Sequence, residues 1–230
     1  MTVALKSDNL GSYTHYKQAE EEFIQLIHNY DLDNATKLNP GLITKFEDTL
    51  NFALVDTYKK NDACDQAHLF IQRVLYYVNR LKLFWFDDFE NYSNENSTVL
   101  FSIRKQIEKE WKEWEVNHIE TNLLHSLAYE EALNKRFKED LNPVPSKESL
   151  FLRDKILLAG YKRLLAITSL DGLVEASQLS RVLGGVGNEV QLMLTKIFWE
   201  EYGRGKLSHK HSSHFINMLK ECDMESSPEA

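Results

Sequence analysis

Apolar residues recur at intervals of three and four along most of this chain. Phe23, Leu26 and Ile27 form one such group, and Phe46, Leu50, Phe52 and Ala53 a second. Leu69, Val74, Leu75 and Val78 form a third, and Leu192, Leu194, Ile197 and Phe198 a fourth. That is the period of helices with one buried side, and no segment alternates with the period of two that a strand needs. Breaks rich in Asn, Asp, Gly, Pro and Ser fall at residues 31–41, 59–65, 91–98, 140–149, 184–188 and 203–209. The pattern predicts an all-α chain of about seven helices, forming a single domain over residues 1–222 with a flexible tail at 223–230.

One stretch breaks the expected length. Residues 98–139 as one straight helix would run roughly 63 Å, against a radius of gyration near ~17 Å for a compact chain of this size. A bend or break near Asn117 to Asn122 is expected. The same stretch interrupts its own apolar stripe. Ile103, Ile107, Trp111 and Trp114 lead to His118, Asn122 and His125, and then to Ala128 and Ala132. These positions share one helix side, and Glu115 sits beside His118 at its edge. Buried imidazoles need partners, because leaving them unsatisfied costs roughly 1–3 kcal/mol each. Two readings stay open: a face looking onto solvent, or inward-facing metal ligands of the Glu-x-x-His kind that "EVNH" (115–118) spells.

The segment "EEYGRGKLSHKHSSHF" (200–215) concentrates two acids, two glycines and three histidines. Gly203 and Gly205 end a helix, which leaves Glu200 and Glu201 in its last turn. The helix dipole disfavours negative charge there, so a nearby cation would resolve a local inconsistency. Ser208 is a candidate cap for a following helix that presents His211 and His214 beside Met218. The alternative is a hydrated loop.

Composition narrows the field. Nine glycines and four prolines in 230 residues are about half the usual share, which favours long helices. A net charge of −8 argues against nucleic acid as a partner. Cys64 and Cys222 suit no zinc pattern and read as reduced thiols, so the expected location is cytoplasmic. No apolar run is long enough to span a membrane.

The 200–215 segment resembles the Glu-x-Gly-x-Gly…His…Phe signature of the haem-oxygenase-like iron-containing redox enzymes. Glu201 and His211 match that family's iron ligands, with Gly203, Gly205 and Phe215 in register. "HIETNLLH" (118–125) is similar to its His-x3-Asp-x2-His helix, with Asn122 in the Asp place. The two elements stand here in reversed order. The chain is also similar to a small cyanobacterial group, and its fold relatives by resemblance are the chlamydial death-receptor-associating oxidase and the TenA/PqqC fold. A TenA-like hydrolase needs a cysteine nucleophile, and neither Cys64 nor Cys222 is well placed for that role. The resemblance implies a non-haem di-iron (or Fe/Mn) oxidase or oxygenase acting on a small organic substrate. Glu201 and His211 would hold one metal, His118 and His125 the other, and Glu115 would be an additional or bridging carboxylate. Trp85, Phe86, Trp111, Trp114, Phe198 and Trp199 are candidates for lining an apolar pocket. A homodimer is the candidate assembly. The competing expectation is a metal-free helical binding or interaction protein on the same fold.

Overall fold

The computed structural model of the chain describes residues 8–60, 64–82, 92–119, 128–177, 179–184 and 187–227. Every regular element among them is helical, as the apolar spacing requires. The contacts gather into two compact units, Met1–Ile119 and Glu120–Ala230, where the sequence leads one to expect one domain.

The N-terminal unit holds α1 (Asp8–Ile27), α2 (Leu32–Leu38), α3 (Gly41–Tyr58), α4 (Asp65–Arg80) and α5 (Thr98–His118). Helices α1, α3 and α4 pack on one another, and α5 lies against α3 and α4. Their shared core is aromatic at its centre. Phe23 stacks on Phe46 with ring centroids 4.3 Å apart, and Tyr16 stacks on Phe70 at 5.2 Å. Leu50, Ala53, Ile71, Val74 and Ile107 close around them without exposure.

Short α2 lies inside the stretch 31–41 that its Asp, Asn and Pro content marks as a break. Asp31 caps it by accepting from the Asn34 amide, and the fully buried Leu32 anchors it. Two polar side chains then fix this corner. Asn94 is 4% exposed; its Nδ2 donates to the carbonyls of Ile27 and Asn29, and its Oδ1 accepts from the Leu32 amide. The Asp33 carboxylate accepts from the Ser97 and Thr98 hydroxyls and from the Thr98 and Val99 amides, at the N-terminus of α5. An anion there meets both free N–H groups and the positive end of the helix dipole.

These contacts make stability depend on pH. Partial burial pushes the Asp33 carboxyl up, but the bonds from Ser97, Thr98 and Val99 outweigh it and hold the group at about 2. A carboxyl depressed in the folded state adds stability that is full above its ordinary value near 3.8 and is lost as pH falls towards 2. After allowance for partial solvent screening, Asp33→Asn should cost about 1–2 kcal/mol at neutral pH. In urea unfolding, that difference from the parent should shrink to nothing near pH 2.

The long segment breaks where a break is expected. Helix α5 ends at His118, with Ile119 in extended backbone. The imidazole, however, does not face inward. Leu100, Ile103 and Ile107 are buried, Trp111 and Trp114 are half-buried, and Glu115 and His118 are exposed. The stripe turns polar as the last turns of α5 run past the core of the N-terminal unit. The His118 ring packs on Trp114 at 4.5 Å, and its Nδ1 lies 2.7 Å from the Trp114 carbonyl oxygen.

The C-terminal unit holds α6 (Tyr129–Leu141), α7 (Lys147–Asp154), α8 (Leu158–Gly172), α9 (Glu189–Glu201) and α10 (His211–Glu221). That makes ten α-helices among the described residues rather than about seven. The difference comes from α2, from α7, which starts inside the break at 140–149, and from the division of 98–139 into α5 and α6.

Candidate metal centre

Three segments of the C-terminal unit supply the site, and two glycines bring them together. Helix α8 ends at Gly172, and a Cβ added there would stand 2.5–2.7 Å from the ring of Phe215 on α10. Only glycine lets that ring lie against the last turn of α8. Farther along the same pair of helices, the Tyr161 hydroxyl donates to the Met218 sulfur at 3.4 Å. This packing carries Glu175, in the turn after α8, to the start of α10.

Helix α9 is capped at its start by Asn188, which accepts from the Gln191 amide. It ends at Glu201, and Gly203 then turns the chain with φ +62°. A Cβ at Gly203 would stand 2.5 Å from the His209 carbonyl carbon and the Lys210 nitrogen. The returning backbone therefore lies on the glycine itself, and α10 begins at His211, one residue beyond that contact. Ser208 is not its cap: residues 207–209 form a short 3-10 turn, and Lys210 takes the cap position without a side-chain bond.

The result is a close group. His211 Nδ1 lies 2.5 Å from Glu201 Oε2 and 3.6 Å from Glu175 Oε1. One ligand atom from each of the three residues falls within 4.8 Å of the others. Burial is graded, with the Glu201 side chain 23% exposed and those of Glu175 and His211 at 42% and 48%. The Glu201 Oε2 atom itself is shut off from solvent and makes no hydrogen bond. It faces His211 Nδ1 at ion-pair distance, in an alignment outside that of a hydrogen bond. Nearby cations are engaged elsewhere: Arg204 pairs with Glu200 at 2.8 Å, and the Lys210 ammonium lies 4.6 Å above the Tyr202 ring. The Arg204 bond also holds the Glu200 carboxyl below its ordinary range.

The donor set fits a divalent ion of the first transition row. Two carboxylates and one imidazole are hard-to-intermediate ligands, and together they balance a dipositive charge. A buried carboxylate oxygen without a hydrogen bond has a lone pair to give.

Of the residues singled out from sequence, Glu201 and His211 stand together. Glu115 and His118 lie in the N-terminal unit on the exposed end of α5. His125 and Asn122 fall outside the described residues, as do Trp85 and Phe86. Trp199 is 53% exposed, and the Phe198 ring is tilted against that of Tyr202 with centroids 4.3 Å apart. Glu175 is the candidate ligand that sequence reasoning missed. Its signal was present all the same: it is an acid three residues past the C-terminus of α8, as Glu201 is one in the last turn of α9, and the dipole disfavours negative charge at such ends.

Among the described residues no helix is long and apolar enough to cross a membrane. No curated protein and no solved structure matches the chain. A family model described as iron-containing redox enzyme does match, over residues 162–230, which include Gly172, Glu175, Glu201 and His211. Over that part, the chain is similar to the iron-containing redox enzyme family.

Proposed function

We propose that the C-terminal unit binds one Fe(II) through Glu175, Glu201 and His211, and that the protein is a non-haem iron oxidase or oxygenase of a small organic molecule. The observation that carries this reading is Glu201 Oε2, sealed from water, without a hydrogen bond, and facing an imidazole nitrogen beside a second carboxylate. Iron held there would supply the redox chemistry. The chain's residues divide the remaining work. Glu201, the most buried of the three, fixes the inner side of the site, and His211 is rooted in the first turn of α10. Glu175 stands on the half-open side, where a substrate can approach without displacing a helix.

Binding of iron to the folded state alone adds RT ln(1 + [L]/Kd), about 2.7 kcal/mol at one hundred times Kd. An anaerobic Fe(II) titration followed by thermal melts should show that gain, and Glu201→Ala, His211→Ala and Glu175→Ala should each remove most of it. His28→Ala, on the N-terminal unit, should leave it unchanged. One iron per chain is the expected stoichiometry. Two per chain, with the second lost in His118→Ala, would instead support the di-iron arrangement that includes Glu115, His118 and His125.

The second reading is a metal-free interaction protein. The observation that favours it is the outer face of α6, where Tyr129, Leu133, Phe137 and Leu141 follow at steps of four and are all more than half exposed. A parent chain whose melting does not respond to Fe(II) would make that the better account.

A further inference from the structure

One carboxylate of the site directly precedes, and the other stands three residues before, a residue in a backbone conformation that L-residues avoid. Three described residues other than glycine have positive φ: Ala176 at 68°, Arg204 at 54° and Asp223 at 53°. Asp223 directly follows the C-cap of α10, and the amides of Asp223 and Met224 bond back to the carbonyls of Lys220 and Leu219. That is an ordinary left-handed helix ending. The other two have no such explanation. Helix α8 is closed by Leu173, whose amide reaches the Ser169 carbonyl, and Ala176 comes three residues later, immediately after Glu175. Helix α9 is closed by Tyr202, and Gly203 already takes the left-handed place after it. Arg204 then continues left-handed and Gly205 follows at φ +80°, so three consecutive residues share the disfavoured hand.

A side chain in that region crowds the following carbonyl oxygen. Such strain persists only where the surroundings impose it, and it collects at functional sites. Here the surroundings are visible. Around Ala176, the Ser177 amide and hydroxyl both donate to the Val174 carbonyl, and the Leu179 amide donates to that of Ala176. Around Arg204, the Gly205 amide donates to the Tyr202 carbonyl and the Lys206 amide to that of Gly203. The Arg204 side chain also reaches back to Glu200, the residue before Glu201.

We infer that Ala176 and Arg204 are positioning residues whose left-handed backbones hold Glu175 and Glu201 against His211 before any metal arrives. The inference rests on the metal site proposed above. A preset site loses less conformational freedom on binding. Glycine at either place removes the strain and frees the turn, so stability and metal affinity should move in opposite directions. A residue that merely supported the fold would move them together.

Mn(II) is the probe, with binding measured by electron paramagnetic resonance of the free ion. Ala176→Gly should raise the melting temperature of the metal-free chain by about 2–4 °C and weaken Mn(II) binding about tenfold. Arg204→Gly should weaken binding likewise, whereas Glu200→Gln, which breaks only the ion pair, should not. Asp223→Gly relieves the same kind of strain at the far end of α10, about 18 Å from His211, and should leave affinity unchanged. Parent-like affinity in both Ala176→Gly and Arg204→Gly would overturn the inference, as would a fall in both melting temperature and affinity. If the parent binds neither Mn(II) nor Fe(II), the metal reading fails and this inference with it, an outcome distinct from a parent that binds and variants that bind equally well.

Discussion

Asn94→Ala should lower the unfolding free energy by about 3–5 kcal/mol, one of the two largest losses expected for a single substitution in this chain. Asn94 satisfies three backbone groups at once: the carbonyls of Ile27 and Asn29 through Nδ2, at 2.7 and 2.5 Å, and the Leu32 amide through Oδ1, at 3.1 Å. The first belongs to the last turn of α1 and the third to the first turn of α2, where helices leave groups unpaired. Alanine would strand the buried Ile27 carbonyl and Leu32 amide and remove the partner of the part-buried Asn29 carbonyl, and each buried group without a partner costs about 1–3 kcal/mol. A melting temperature lower by about 10 °C is the expected readout. Asn94→Asp should be no better. It keeps the acceptor for Leu32 but sets a carboxylate against two carbonyl oxygens. If Asn94→Asp melts with the parent, the amide is not the lock described here.

Helix terminators and apolar spacing are local properties, and those parts of the molecule were legible from sequence. Ser97 caps α5, Gly203 follows the end of α9, and the chain leaves α5 near Asn117 because a straight rod of that length would outrun a compact chain. The pairing of Glu201 with His211 came from the resemblance of the 200–215 run to the iron-containing redox enzymes, with Gly203 and Gly205 between the two residues. Features that depend on tertiary placement were not legible. Residues 31–41 carry turn composition, yet α2 forms there because Leu32 finds a core and Asn94 and Asp33 find backbone partners more than sixty residues away. The polar end of the α5 stripe looks the same in sequence whether it faces inward or leaves a core, and the structure places Glu115 and His118 on the exposed end of the helix. Glu175 shows the limit most clearly. It belongs to a turn, so no periodicity marks it, and it meets His211 only because Gly172 lets Phe215 approach α8.

Gly203→Ala should both destabilise the C-terminal unit and abolish the iron-dependent gain in melting temperature. Two costs combine. An alanine at φ +62° pays about 1–2 kcal/mol for the left-handed backbone. Its Cβ would also stand 2.5 Å from two backbone atoms, the His209 carbonyl carbon and the Lys210 nitrogen, which cannot rotate aside as a side chain can. Overpacking of that kind costs about 1–3 kcal/mol more, so a total of about 2–5 kcal/mol is expected. The strain relaxes only if residues 209–210 move away from the end of α9, and His211 moves with them. The imidazole, carried with that backbone, leaves its place 2.5 Å from Oε2 of Glu201. Gly205→Ala separates the two costs. Its φ of +80° carries a similar backbone penalty, but its Cβ would meet only the edge of the Trp199 ring at 3.3 Å. That variant should lose about 1–2 kcal/mol and still respond to Fe(II). Thermal melts of both variants, with and without anaerobic Fe(II), decide the matter. A Gly203→Ala chain that gains as much from iron as the parent would mean that the contact between Gly203 and the 209–210 backbone does not hold the site together.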